Sequence, residues 1–189
     1  KSHKIPLDDT IARSPFLLTV WLESKQDIPE SRLATLPSSA LYLIARSANT
    51  SSATRLLAGE KALQEGSLKP EGFLALVKAT PESDFWGSLE KALHAPQSTT
   101  LLPLFERANQ EHKLGLVAQV FGSSLETMTP SAEWLSLAPF MVRAFLQCEK
   151  KEFAKTWGLL LLREAPDEAI GLLPLLHLAF PEMKWGDAQ

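Results

Sequence analysis

The stretch WLSLAPFMVRAFLQCEKKEFAKTWGLLLLREAPD, residues 134–167, decides the fold. Trp134, Ala138, Met141, Val142 and Phe145 recur at the spacing of one helix face, and Phe153, Trp157, Leu160 and Leu161 repeat the pattern. Between the stripes lies Glu149-Lys150-Lys151-Glu152, a self-neutralising run that suits a turn or a solvated helix start. After the second stripe comes Pro166. Proline is tolerated at the first position of a helix, where its missing N–H would be unpaired anyway. The stretch therefore reads as two helices joined by a tight turn and closed by a proline that opens a third.

Working outward, the same opening recurs. Pro29-Glu30-Ser31, Pro70-Glu71, Thr80-Pro81-Glu82-Ser83, Thr129-Pro130-Ser131-Ala132-Glu133 and Pro166-Asp167-Glu168 each set an acidic residue close behind a proline. The carboxylate meets the positive end of the helix dipole. Thr80 and Thr129 are expected to serve as N-caps. A third stripe, Phe85, Trp86, Leu89, Ala92 and Leu93, also has helical period. Helices are expected over 8–23, 29–36, 38–48, 50–65, 70–79, 81–94, 98–109, 112–121, 130–148, 150–164 and 166–179. Leu41-Tyr42-Leu43-Ile44 has strand-like composition, yet a lone strand has no ladder partner, so it is read as helix.

Composition agrees. The chain holds 34 Leu and 22 Ala against 5 Val and 5 Ile, which favours helix over sheet before any pattern is read. No Gly- or Ser-rich linker interrupts it. The expectation is a frayed extension over 1–7 followed by one all-helical domain over 8–189. Short connections make neighbouring helices antiparallel hairpins. The hairpins stack as a short α-solenoid-like array, or fold back as a globular helical bundle.

Residues 53–83 and 134–168 echo one another, each a helical hairpin ending in a proline. This resembles the tetratricopeptide class of helical repeat, whose unit is two antiparallel helices. With Pro166 as the closing proline, Ala154 and Phe145 fall at the small and aromatic positions of that pattern. With Pro81, Phe73 falls at the second-helix aromatic. Lys69 and Glu60 stand where a small residue and an aromatic belong, and the early Trp and Leu-Gly have no counterpart. The resemblance covers about a third of the chain. It implies stacked hairpins whose first helices line a ligand-facing surface.

The charge balance, −3 overall, gives no basic face of the kind that holds nucleic acid, so no such partner is expected. The longest apolar stretch, Ala169 to Phe180, is broken by Gly171, Pro174 and His177. No membrane insertion is expected from it. The chain opens at Lys1 with no initiator Met and reads as a processed product or a piece of a longer one, cytoplasmic or exported. Oligomeric state has no signature.

Chemical motifs are sparse. His3, His94, His112 and His177 have no metal-ligand spacing, and neither a metal nor a cofactor is expected. Glu90 and His94 are four apart, the spacing of an ordinary helix-surface pair. Glu23-Ser24, Glu30-Ser31 and Glu82-Ser83 are each the dipeptide of peptidoglycan-cleaving lytic enzymes, but no glycine-led segment follows any of them. A catalytic reading is rejected. The single cysteine, Cys148, reads as a small apolar filler.

The expected function is a non-enzymatic module that binds a peptide or protein partner. Its candidate contacts are Arg55 and Glu60 in one hairpin, Arg143 and Gln147 in the other, and Trp185, which lies in a polar tail and either folds back or anchors a partner. The alternatives are a helical bundle that holds a small apolar ligand, the non-catalytic helical arm of a larger enzyme, and an enzyme whose site is assembled from distant residues.

Overall fold

The computed structural model describes residues 5–80 and 84–185. Every regular element among them is a helix or a 3-10 turn, so the fold is all-α. The chain groups into two compact units, Lys1–Gly87 and Ser88–Gln189, where the sequence reading has one domain over 8–189.

In the first unit, α1 (Asp9–Arg13) starts where Asp8 accepts a hydrogen bond from the Ile11 amide at 2.9 Å. It stops at Ser14, because the residue before a proline is pushed out of the helical region. α2 (Pro15–Glu23) restarts at once, with Ser14 now accepting from the Leu17 amide. Short α3 (Glu30–Leu33) and then α4 (Ser38–Arg46) follow, the latter including residues 41–44 as helix. α5 (Ser52–Gln64) is capped by Ser51. α6 (Pro70–Lys78) opens on its proline. α7 (Asp84–His94) contributes Phe85 and Trp86 to this unit.

The frayed extension is corrected in part. The Trp21 indole donates to the Ile5 carbonyl at 2.8 Å, and Arg32 Nε donates to the Leu7 carbonyl at 3.0 Å. Residues 1–4 lie outside the described residues. So do residues 81–83, and with them the expected opening at Pro81-Glu82-Ser83. Thr80 precedes them, buried, with its hydroxyl donating back to the Leu76 carbonyl at 2.8 Å.

The first core is built on Leu18, Leu41, Ile44, Ala58, Ala62 and Phe73, each almost wholly withdrawn from solvent. Phe73 and Phe85 both meet Trp86 edge-on at 5.0 Å, the arrangement preferred by opposed ring quadrupoles. α5 packs far more extensively on α4 than on α6. The dominant pair here is α4 with α5, not the α5–α6 pair that the repeat reading selects.

The second unit contains the rest of α7, then α8 (Ser98–Gln110), α9 (Leu114–Val120), α10 (Gly122–Glu126), α11 (Ala138–Gln147), α12 (Lys151–Glu164), α13 (Pro166–Ala169) and α14 (Leu173–Ala179). α11 packs along α12, as the opening stretch predicts, and along α9. Met141, Val142, Phe145, Trp157 and Leu161 on α11 and α12 are buried, and so is Leu176 on α14, which meets α12 at Gly158. Thr129-Pro130 does not open a helix. The chain makes a 3-10 turn at Ala132–Trp134, and α11 begins only at Ala138-Pro139. No helix among the described residues is long and apolar enough to cross a membrane.

Candidate functional site

The first unit carries an open groove formed where α4 ends and α6 begins. Tyr42 and Arg46 stand one turn apart on α4. The Arg46 guanidinium lies 5.3 Å from the Tyr42 ring centroid and also donates to the Tyr42 hydroxyl. Opposite them the chain leaves α5 through Gly66, whose φ of 76° is left-handed and open to glycine without strain. The Gly66 amide donates to the Leu63 carbonyl at 3.1 Å and the Ser67 amide to the Ala62 carbonyl at 2.9 Å, a double closure of the helix end. That turn delivers Ser67, Leu68 and Lys69 to the groove, and the first turns of α6 add Glu71, Gly72 and Ala75.

The central hollow has a volume of about 590 Å³. It shares Tyr42 and Ser67 with a more apolar hollow of about 420 Å³ beside Pro15 and Leu43. It shares Arg46, Leu68 and Gly72 with one of about 200 Å³ beside Arg55 and Leu76. The groove thus runs from an apolar end to a cationic end.

Arg55 is half-buried. One of its nitrogens donates to the Ser52 hydroxyl at 3.3 Å, and its Nε is buried with no acceptor. Among the described residues Arg46, Arg55 and Lys69 form no ion pair. The lining carries these three cations against one carboxylate, Glu71, in a chain whose net charge is −3. A planar guanidinium held over an aromatic ring is suited to taking a carboxylate by two parallel hydrogen bonds.

Of the residues expected to meet a partner, Arg55 alone reaches this groove. Glu60 is corrected: it is buried at 8% exposure and accepts a hydrogen bond from the Trp86 indole at 3.0 Å. Its carboxylate serves the first core. Gln147 is exposed, but its amide oxygen accepts from the Gly115 amide at 2.7 Å, tying α11 to the start of α9. A Cβ on Gly115 would stand 3.0 Å from Gln147, so glycine lets the two helices approach this closely. Arg143 is half-buried on α11, without an ion pair or hydrogen bond among the described residues. Trp185 folds back. It is 2% exposed, lies 5.6 Å from the Phe180 ring and donates to the Phe180 carbonyl at 3.3 Å. Within the first unit Arg55 and Glu60 serve different surroundings, and within the second so do Gln147 and Trp185.

Tyr42, Arg46 and Lys69 escaped the sequence reading. The signal was present in part: the one tyrosine of the chain stands four residues before an arginine on an expected helix.

His94 Nδ1 lies 2.9 Å from the Glu90 carbonyl and 3.6 Å from its carboxylate, on an exposed side chain. Burial pushes the Cys148 thiol up. Among the described residues no group of three or more His, Cys, Asp or Glu stands ready to hold a metal ion. Comparison with protein-family models, curated proteins and solved structures finds no match.

Proposed function

We propose that this chain is a non-enzymatic helical-hairpin interaction module, and that the groove on its first unit takes an extended segment of a protein partner. One observation carries the reading. A groove with an apolar end and a cationic end contains an arginine, Arg55, that is half-buried and has no counter-charge. Buried charge is costly unless it is paired, so an arginine kept in this condition favours an occupant that supplies acceptors. Pro15, which lines the apolar end, opens α2, and that helix exposes the apolar residues Phe16 and Val20. They offer further surface to the same partner.

Ala75→Trp tests this. Ala75 is exposed on the groove wall, so an indole there fills the groove without entering the core. A display library of random peptides about ten residues long, selected on the wild-type protein, is expected to yield binders that fail on Ala75→Trp. Failure to enrich any peptide, or enrichment indifferent to the substitution, overturns the proposal.

A further inference from the structure

We infer that the determinant read by the groove is a carboxylate side chain, Asp or Glu, placed near an apolar side chain in the partner's segment. This rests on the peptide-binding reading of the same groove and adds the chemistry of what is bound. The carboxylate belongs toward the cationic end, where Arg46 lines both the central hollow, with Lys69, and the smaller hollow, with Arg55. Arg46 is already held by the ring and hydroxyl of Tyr42, so little of its rotamer freedom remains to be lost on binding. One donor of its guanidinium is engaged on Tyr42, which leaves others for an anion.

The start of α6 adds to this field. Its N-cap, Lys69, supplies no side-chain acceptor to the first turn. The Glu71 and Gly72 amides are among the orphan donors of that turn, and both residues line the central hollow. Glu71 is exposed and is the one carboxylate in the central hollow, against Arg46 and Lys69 there and Arg55 in the adjoining one. The apolar side chain of the ligand belongs beside Pro15 and Leu43, which share Tyr42 and Ser67 with the central hollow. Complementary charge of this kind sets partner choice and encounter rate, and at exposed groups it is weakened by salt.

The selected peptides supply the test. Binders that Ala75→Trp rejects should be enriched in Asp or Glu near an apolar residue. Their affinity should fall at least about tenfold on Arg46→Glu, and again on Arg55→Met, which keeps the aliphatic stem. Arg46 is exposed, so its variant is expected to fold normally, and a thermal melt checks both variants. Raising salt from roughly 0.05 to 0.5 M should weaken wild-type binding and leave the residual binding of Arg46→Glu nearly unchanged. Groove-dependent peptides that lack acidic residues and bind Arg46→Glu equally would overturn the carboxylate assignment and leave the peptide-binding reading standing. A phosphoserine peptide that binds at least about tenfold tighter than its Glu counterpart would also overturn it, in favour of phosphate. Absence of any groove-dependent peptide removes both readings together.

Discussion

Glu149 and His112 occupy the left-handed backbone region, at φ of 61° and 56°, where a Cβ is crowded by the following carbonyl. Both stand just past a helix end that closes as α5 does at Gly66. The Lys150 amide donates to the Phe145 carbonyl at 2.9 Å, and the Lys113 amide to the Ala108 carbonyl at 2.7 Å. The closure is what holds these two residues in a conformation they disfavour. Glu149→Gly is therefore expected to stabilise the protein by roughly 1 kcal/mol, read as a rise of about 2–4 °C in the melting midpoint. A fall in the midpoint would contradict this. At Glu60 the prediction has the opposite sign. Its carboxylate oxygen faces the Trp86 indole inside a core, so Glu60→Ala takes this acceptor from the indole N–H. A loss of about 1–3 kcal/mol by chemical denaturation is expected, with Glu60→Gln, which keeps an acceptor, losing less. Equal losses would show that the hydrogen bond is not what Glu60 supplies. Repeat register assigned Glu60 to a surface. Packing against an aromatic 26 positions away along the chain, which periodicity does not report, put it inside.

At the scale of the element, proline explains most of the differences between expected and observed helices. Three long helices, over 8–23, 130–148 and 166–179, each contain an internal proline, and each is broken there. Pro15, Pro139 and Pro174 fall in the first turn of α2, α11 and α14. Mid-helix, each would remove one backbone hydrogen bond and strike the preceding turn. The helix restarts where that loss is free. Pro103 is the exception, inside α8, but it is exposed, so the carbonyl it leaves unpaired faces water. Apolar stripes and proline openings were legible along one dimension and gave the all-α class, the α11–α12 pairing and the starts at Pro70 and Pro166. The preference of α5 for α4 over α6 was not, because both neighbours present apolar faces and only tertiary fit separates them. The groove was hidden for the same reason. Tyr42, Arg55 and Lys69 come from three stretches of the chain, and the local hints, Arg55 on one helix and the Tyr42–Arg46 spacing on another, say nothing of their meeting.

At the scale of the molecule, two carboxylates among the described residues link stability to pH. The Asp9 carboxyl is held below the usual range by its hydrogen bond from Arg32 at 2.7 Å, then by the charge of that guanidinium. Hydrogen bonds from Arg107 at 2.8 Å and from Lys113 lower that of Glu111. A carboxyl lowered by folding contributes stability that is present above its unfolded pKa and is lost as pH falls through the folded one. The melting midpoint should therefore lose these contributions below about pH 4, where unfolded carboxylates begin to take up protons first. Glu111→Gln should flatten part of that acid limb. A limb unaltered by the substitution would contradict the assignment.

The claim that the first unit binds a partner through its groove has one most direct measurement. Amide resonances of the labelled protein are followed while a peptide with an acidic residue beside an apolar one is added. The account predicts saturable shifts concentrated at Tyr42 to Arg46, Ser67 to Gly72 and Arg55, with residues of α11 and α12 unmoved. Shifts centred on Arg143 and Gln147, or none at peptide concentrations of about a millimolar, the weak limit of such contacts, would contradict it.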